Sequence, residues 1–323
     1  MVPLSILDLA AVGREETIAE SFAGSVALAQ AAERGGYKRV WYAEHHNITS
    51  IASSATAVLI AHVGAQTDTI RLGAGGVMLP NHSPLVIAEQ FGTLETLHPG
   101  RIDLGLGRAP GTDQLTWRAL RRDPAASERF PEDVLELQKF LGDEEPLPGL
   151  RAIPGRGTKV PLYLLGSSLF GAELAAQLGL PYAFASHFAP RYLHEAIKAY
   201  REGFKPSAQL REPYVIAGVG VIAADTEESA KAQLEVARRI RTRAVLGRGR
   251  KLSDDDVTAL LNSPDAVLVD EMLACTAVGT ADEVQAYLER FAADTGADEL
   301  ITAHYSDSVP NRLRSVELTA ATA

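Results

Sequence analysis

Two adjacent histidines beside a carboxylate are the residues of this sequence best suited to proton transfer. They form Glu44-His45-His46 and stand where a short apolar segment, predicted to be a strand, ends. Imidazole titrates near neutral pH, so the group suits general acid–base catalysis. Packing or capping histidines are the alternative from the residues alone. A metal site is disfavoured, because consecutive side chains on a strand point to opposite faces and chelate one ion poorly.

A glycine-rich stretch lies in the next predicted strand, with Gly73, Gly75 and Gly76 between Arg71 and Met78. Glycine in a strand interior costs stability and often marks the close approach of a ligand or an unusual backbone geometry. Three glycines within four positions are consistent with a flat molecule that lies against the backbone. Tight packing of helices explains the same pattern, and the residues alone leave both explanations open.

Arg108 follows the fourth predicted strand, and a serine-containing turn follows the fifth. A guanidinium can hold a phosphate with two hydrogen bonds. The turn, Gly166-Ser167-Ser168, leads into a predicted helix, whose first N–H groups and neighbouring hydroxyls make an anion site. A plain serine N-cap is the alternative. Because the two segments come from neighbouring strands, we expect them to close on one phosphate group.

Short strands and helices alternate along the chain, and this order places the residues above at strand ends. Such alternation requires parallel strands with right-handed crossovers. Eight units close into a (β/α)8 TIM barrel; an open doubly wound sheet is the alternative, disfavoured because no single switch-point motif stands out. The predicted helices include 84–97, 227–246 and 281–295. The predicted strands are 4–9, 39–43, 70–78, 101–107, 160–165, 182–186, 214–223 and 299–304.

Two segments interrupt the alternation, at about 109–158 and 247–268, within a predicted single domain that spans 1–323. The first has one weak helical pattern among prolines and glycines, and the second is charged and turn-rich. Long inserts after the C-terminal end of a barrel strand form the walls or lid of the active site. We interpret the first insert as a lid, since it follows Arg108 directly; a surface excursion is the alternative.

The composition narrows the class of protein. A net charge of −10 argues against a nucleic-acid partner, because phosphate backbones are held mainly by clustered lysine and arginine. The single cysteine, Cys275, excludes an intrachain disulfide and a thiolate metal cluster. The first residues lack the pattern of a signal peptide, and no apolar run reaches the ~18 residues of a membrane span. We therefore expect a cytoplasmic protein without a membrane partner.

Taken together, these segments resemble the bacterial luciferase-like flavin monooxygenases, and in particular their shorter, single-gene members. The resemblance runs in order through nearly the whole chain and is specific as a set. Its carriers are Ala43-Glu44-His45-His46, Gly76-Val77-Met78-Leu79-Pro80-Asn81-His82-Ser83-Pro84, Ala88-Glu89-Gln90, Leu97-His98-Pro99-Gly100-Arg101-Ile102-Asp103-Leu104-Gly105-Leu106-Gly107-Arg108, Gly179-Leu180-Pro181, Val278-Gly279-Thr280 and Gly296-Ala297-Asp298-Glu299-Leu300-Ile301.

The resemblance implies a homodimeric barrel enzyme that binds reduced FMN delivered by a separate flavin reductase. Oxygen then adds at flavin C4a, and the hydroperoxide oxygenates a hydrophobic organic substrate, such as a polyketide or an aldehyde. By resemblance, His45 is the histidine that aids this chemistry and stabilises the peroxy intermediate. His46 and Glu44 support it, and Ala43 lies beside the cofactor. The second and third helices are the expected dimer interface.

The same resemblance assigns the cofactor positions. Gly75-Gly76 falls where the family often has a non-proline cis peptide beneath the isoalloxazine ring, and Arg108 and Ser168 match phosphate ligands. Other residues of the same turn, Gly166 and Ser167, are expected nearby.

Two departures from the family pattern bear on function. Gly171 replaces the hydroxyl residue that the family usually offers to the phosphate, which leaves only a backbone N–H there and is expected to weaken flavin affinity. Gly107 replaces the reactive cysteine of the luciferases, so we do not expect light emission.

Three other functions fit part of the sequence. An F420-dependent oxidoreductase would move hydride on the same barrel. A non-catalytic flavin-binding protein would keep the fold without turnover, which the two histidines and Arg108 disfavour. A metal-dependent barrel hydrolase would want a His-x-His in the first strand, which has none. The candidate substrate-lining residues, each equally consistent with a structural role, are Met78, His82, Trp117 and His187.

Overall fold

The structure, a computed structural model, describes residues 2–109, 112–247, 250 and 252–320. Residues 110, 111, 248, 249 and 251, which belong to the two predicted inserts, lie outside the described residues. The strands are β1 (Leu4–Asp8), β2 (Arg39–Tyr42), β3 (Arg71–Met78), β4 (Ile102–Gly107), β5 (Leu162–Gly166), β6 (Tyr182–Phe184), β7 (Val215–Ala223), β8 (Thr276–Gly279) and β9 (Glu299–His304). The α-helices are α1 (Ile18–Arg34), α2 (Thr56–Gly64), α3 (Pro84–Leu97), α4 (Gln114–Ala119), α5 (Phe130–Leu141), α6 (Leu169–Leu178), α7 (Leu193–Gly203), α8 (Glu227–Leu246), α9 (Asp254–Leu261), α10 (Ala266–Met272), α11 (Ala281–Thr295) and α12 (Val309–Ala320).

Eight of the strands close into a parallel barrel, which confirms the predicted fold. Strands β1 to β6 pair in sequence order, β6 pairs with β7, β7 with β9, and β9 with β1. Each of the eight predicted strands forms, with its bounds shifted by at most two residues. Helices follow the strands and cover the outside of the barrel, so all the strands' C-terminal ends meet at one face.

The strand β8 was not predicted. It spans only Thr276–Gly279 and pairs with the C-terminal half of β7, at Gly220–Ala223. The other half of β7, Val215–Ala217 in the ladder with β6, closes the barrel. A four-residue strand carries too little alternation for a period to be read from the sequence.

Side chains of the barrel strands alternate between two apolar layers. In β2, Val40 and Tyr42 pack outward against the helices, while Trp41 faces the barrel interior. Leu7 of β1 and Ile301 of β9 join Trp41 inside. This is the period-two pattern of a strand, and it lets a strand that is buried on both faces serve both layers.

A buried charge cluster fills the N-terminal end of the barrel. Arg39 lies between two carboxylates, with Nη1 2.6 Å from Oδ2 of Asp103 and Nε 2.9 Å from Oε1 of Glu299. Nη1 also donates to the hydroxyl of Tyr163 at 2.8 Å. Buried charges are tolerated when they are paired and hydrogen-bonded in this way. The cluster closes this end of the barrel, so the opposite end is left for a site.

The two inserts differ in structure but share the C-terminal face. The first contains α4 and α5. The second, predicted as turn-rich, contains α9 and α10; α9 begins with a capping box in which Ser253 and Asp256 bond each other's backbone. Leu246 at the end of α8 and Val269 of α10 pack against Tyr305, the residue that follows β9. Because Tyr305 stands at the C-terminal end of its strand, this packing places the second insert at the predicted face.

Within the described part of the chain, every helix is too short or too polar to cross a bilayer.

Candidate active site

Glu44 lies directly beyond β2 and is held by the backbone of β3. Its N–H donates to the carbonyl oxygen of Gly76 at 3.3 Å, and its carboxylate accepts the N–H of Met78 at 2.9 Å. The residue is 1% exposed. These bonds satisfy a buried carboxylate from two sides, as burial of a charge requires. The end of β3 therefore fixes the position of Glu44 at the barrel mouth.

Two imidazoles converge on this carboxylate. Nε2 of His46 and Nε2 of His82 each lie 2.8 Å from Oε1 of Glu44. Burial raises the pKa of Glu44, but the hydrogen bonds of the two imidazoles and of Met78 outweigh it and hold the pKa at about 2. The hydrogen bond with Glu44 in turn raises the pKa of His46. The arrangement can store a proton on an imidazole next to a permanently ionised carboxylate.

His45, which lies between Glu44 and His46 in the chain, is half-buried. It lies within electrostatic reach of His187, which follows β6. Burial, followed by the charges of Arg241 and His45, lowers the pKa of His187 to about 3. In a closed barrel of eight strands, β2 and β6 stand opposite each other. His45 and His187 therefore follow strands on opposite sides of the barrel mouth.

His187 closes the wall opposite His45. Its ring lies against Gly218 of β7, where an added Cβ would collide with Nδ1. That nitrogen is buried without a hydrogen-bond partner among the described residues. The carbonyl oxygen of His187 accepts the hydroxyl of Tyr305 at 2.6 Å. A neutral imidazole, packed against Gly218 of β7 and anchored by Tyr305, thus lines this side of the mouth.

The glycine-rich strand carries the cis peptide that the resemblance implied, between Gly75 and Gly76. The glycines are also required by close packing within the barrel. A Cβ on Gly75 would lie 2.8 Å from Cδ1 of Leu7 and 2.9 Å from Cβ of Trp41. The pairing of β3 with β4 shifts register across the same two glycines. Strand contacts inside the barrel, rather than helix packing, therefore account for part of the pattern.

The predicted phosphate residues come together at the ends of β4 and β5. The guanidinium of Arg108 stacks on the ring of Phe170 at 4.0 Å, in the first turn of α6. Ser168, the N-cap of α6, makes no capping bond with its side chain. Gly166 and Gly171 face each other, since a Cβ on Gly171 would lie 3.6 Å from Cα of Gly166. A cation, a spare hydroxyl and a helix N-terminus therefore converge, and such a set can bind an anion.

The first insert lies over the histidine segment. Nδ2 of Asn47 donates to Oδ2 of Asp113 at 2.7 Å, and the hydroxyl of Thr112 donates to the carbonyl oxygen of His46 at 3.3 Å. Trp117 of α4 is half-buried, and its Nε1 is enclosed without a hydrogen-bond partner in the described part of the chain. These contacts agree with the interpretation of this insert as a cover for the site.

Among the described residues, no cluster of three or more histidine, cysteine, aspartate or glutamate side chains is arranged to hold a metal ion.

Sequence comparison agrees with the geometry. The luciferase-like monooxygenase family matches residues 2–299. The chain belongs to this family. Its members are flavin-dependent monooxygenases, so the chain is an enzyme of that class.

Individual relatives of this luciferase-like monooxygenase cover most of its length. It is 46% identical to a luciferase-like monooxygenase of Escherichia coli over 98% of this chain and 96% of the relative. It is 40% identical to the N-acetyl-S-alkylcysteine monooxygenase of Bacillus subtilis over 78% and 76% of the two chains. The crystal structure of apo-MsnO8 superposes with a TM-score of 0.89 at 36% identity, over 100% of this chain and 98% of that one. An F420-dependent secondary alcohol dehydrogenase, at 16% identity and a TM-score of 0.73, shares the fold alone.

Three features of the monooxygenase's site were missed by the sequence analysis. His82 was named as a substrate-lining residue, but the structure bonds it to Glu44. Tyr305 and Arg241 were not named at all, although Tyr305 anchors His187 and carries the guanidinium of Arg241 over its ring at 4.7 Å. The signal for Tyr305 was its place immediately after the last strand, where barrel enzymes put functional side chains.

Proposed function

We propose that this chain is the oxygenase component of a two-component system. It takes reduced FMN from a separate flavin reductase and uses O2 to place one oxygen atom on a hydrophobic organic substrate. The observation that carries the proposal is the stacking of Arg108 on Phe170 at 4.0 Å, which brings a guanidinium to the N-terminus of α6. In a flavin-dependent family, an anion site at the rim of the barrel supports a flavin that carries a terminal phosphate.

The donor set at this rim fits a phosphate group. Arg108 supplies a planar, permanently charged fork, and the hydroxyl of Ser168 is left unused by the helix. The first N–H groups of α6 have no partner within the helix and carry the positive end of its dipole. Ser167 and Gly166 precede them, and Gly171 contributes its backbone alone. These residues would hold the FMN phosphate.

Reduced FMN, when bound, supplies the electrons with which O2 is activated. Glu44 stays ionised at neutral pH, because its pKa is about 2. It keeps His46 in place through the 2.8 Å bond and raises the pKa of that imidazole. His45, next in the chain, is the residue we assign to proton transfer at the flavin. The first insert, bonded to this segment through Asp113 and Thr112, would exclude water from the same space.

The substrate proposal rests on the lining of the mouth. Apolar side chains of the inner layer, such as Leu9 and Leu165, lie at the C-terminal ends of their strands. Met78 and Trp117 extend this lining toward the first insert. Aldehydes and polyketides therefore remain the first candidates. The relative named for N-acetyl-S-alkylcysteine adds a thioether to the panel.

The proposal includes a cytoplasmic homodimer that buries α2 and α3. Three apolar side chains on these helices are exposed: Val58 by 71%, Leu97 by 61% and Val86 by 43%. Apolar residues grouped on neighbouring helices are typical of an interface between subunits.

The experiment loads the purified enzyme with reduced FMN or with reduced F420 under nitrogen and then admits air. A panel of a long-chain aldehyde, an aromatic polyketide and N-acetyl-S-benzylcysteine is analysed by mass spectrometry. We expect a mass gain of one oxygen atom with reduced FMN. Product formed with reduced F420 in the absence of air would replace the proposal with hydride transfer. FMN binding with no substrate consumed across the panel would leave a flavin-binding protein.

A variant tests the assignment of His45 in the same assay. His45→Ala is expected to bind reduced FMN with unchanged affinity and to lose most of its product. The control is His194→Ala, an exposed histidine on α7. Unchanged product with His45→Ala would remove this residue from the chemistry.

A further inference from the structure

Arg241 is a half-buried guanidinium at the barrel mouth, on the face of α8 that covers the site. It lies seven residues, or about two helical turns, after Leu234, so both side chains share one face of the helix. Leu234 and Tyr305 pack against the same apolar cluster, and the guanidinium of Arg241 lies 4.7 Å from the centre of the Tyr305 ring. The hydroxyl of Tyr305 in turn donates to the carbonyl oxygen of His187. Arg241 therefore stands above the wall that faces His45.

Arg241 differs from the other arginines of the same helix in having no carboxylate partner among the described residues. Arg238 pairs with Asp270 at 2.9 Å. Arg239 and Arg243 both pair with Asp254. The neighbours therefore tie α8 to α9 and α10, whereas Arg241 contacts the side chain of Tyr305, both over its ring and through a hydrogen bond. A partly desolvated guanidinium with unused donors favours an anion that can reach it.

The charge at this side of the mouth belongs to the guanidinium. Because burial and the nearby charges of Arg241 and His45 lower the pKa of His187 to about 3, this imidazole is neutral at pH 7. The mouth is otherwise lined by the apolar side chains named above and, on the opposite side, by the histidine segment. A substrate whose apolar part fills the mouth would meet the positive charge of Arg241 at the edge of the pocket.

We propose that Arg241 selects substrates that carry an anionic group, a carboxylate in the simplest case, at one end of an apolar body. The proposal rests on the proposed function, since it names the substrate class of that same site. Arg241 would bind the anionic end by paired hydrogen bonds while Tyr305 keeps the guanidinium in place. The apolar end would then point toward His45 and the glycine strand.

The test measures binding without turnover, so that it does not depend on the oxygenation reaction. The probes are 4-phenylbutanoate and 4-phenylbutanamide, which share a skeleton and differ in charge. Isothermal titration of the FMN-loaded enzyme at pH 7 is expected to give at least tenfold tighter binding of the carboxylate. Arg241→Gln should abolish this preference while leaving the affinity for the amide unchanged, and Arg241→Lys should restore part of it. Arg238→Gln, on the same helix, should keep the wild-type preference.

Three results would overturn the proposal. The first is equal affinity of the two probes, or no binding of either, in the wild-type enzyme. The second is a preference that survives in Arg241→Gln. The third is a preference that is lost equally in Arg238→Gln, which would mean general attraction to a basic helix. Circular dichroism shows whether Arg241→Gln folds. If it does not, Arg241→Lys is compared with the wild type instead. An unchanged affinity for the carboxylate in Arg241→Lys would then overturn the proposal. Oxygenation with reduced FMN, measured separately, tells failure of this inference from failure of the proposed function.

Discussion

Nε2 of His46 lies 2.8 Å from Oε1 of Glu44, and this contact joins two residues that are separated by one position at the end of β2. Strand geometry would point both side chains to the same face, and Glu44 is further fixed by the N–H of Met78 from β3. The pair therefore links the histidine segment to the glycine strand. Its chemistry depends on a carboxylate that stays ionised while buried.

Glu44→Gln is expected to change the acid stability of the protein. The pKa of Glu44 in the folded state, about 2, lies below its ordinary value of 4.5. The ionised carboxylate therefore stabilises the fold above about pH 4.5, and this contribution is lost as the pH falls toward 2. The difference corresponds to ~3 kcal/mol, of which ~2 kcal/mol is already lost at pH 3. In urea unfolding, the difference in free energy of unfolding between wild type and Glu44→Gln should therefore shrink by ~2 kcal/mol from pH 6 to pH 3. A pH-independent difference would contradict the role of the ionised carboxylate.

Arg108→Ala is expected to weaken binding of FMN but not of riboflavin. Loss of charge-assisted hydrogen bonds of about 1.5–3 kcal/mol corresponds to roughly ten- to a hundredfold in affinity. Fluorescence titration with both flavins makes the measurement, and Arg118→Ala on the exposed surface of α4 is the control. Equal losses for FMN and riboflavin would show that Arg108 does not contact the phosphate.

Gly171→Ser is expected to strengthen FMN binding by roughly threefold to tenfold, the effect of one added hydrogen bond of about 0.5–1.5 kcal/mol. The position accepts a Cβ, whose nearest neighbours would be Cε2 of Tyr182 at 3.4 Å and Cα of Gly166 at 3.6 Å. Gly171→Ala is the matched control, because it adds the Cβ without the hydroxyl. The same titration measures both variants. A gain shared by Gly171→Ala would point to helix stability instead.

Gly105→Ala is expected to destabilise the barrel by roughly 1–3 kcal/mol, the usual cost of overpacking. A Cβ on this β4 residue would collide with the carbonyl oxygen of Ala74 and lie 2.7 Å from Cδ1 of Leu165. Gly203→Ala at the end of α7 serves as the control, since its Cβ would make an ordinary contact with Ala176 at 3.5 Å. Urea unfolding compares the two. Equal stability of both variants would show that the close contact of β3 and β4 at this position does not require a glycine.

The sequence predicted helix bounds well where a residue typical of a helix start is present. Helices α3, α8 and α11 have the bounds that the sequence predicts, because proline or threonine stands at each start. The second insert was predicted as turns, although Ser253 and Asp256 form a capping box that signals the start of α9. That signal was present and was overlooked.

The site was only partly predictable, for a physical reason. Arg108 and the serine turn could be joined because neighbouring strands bring their ends together. The bond between His82 and Glu44 spans 38 residues and depends on the turn after β3, which no local period encodes. Arg241 was not predicted, because the net charge of −10 drew attention away from local basic segments. Residues 238–251 nevertheless contain seven arginine and lysine residues and no acidic one. Which of these arginines lacks a carboxylate partner depends on tertiary contacts.

We propose, above all, that this enzyme transfers an oxygen atom from O2 to an organic substrate by means of reduced FMN. The most direct measurement is incubation of the enzyme with a flavin reductase, NADH, FMN and the substrate panel under oxygen-18 gas, followed by mass spectrometry of the product. We predict one oxygen-18 atom in the product, with none acquired from labelled water. A product that lacks the label, or that forms equally well without oxygen, would contradict the account.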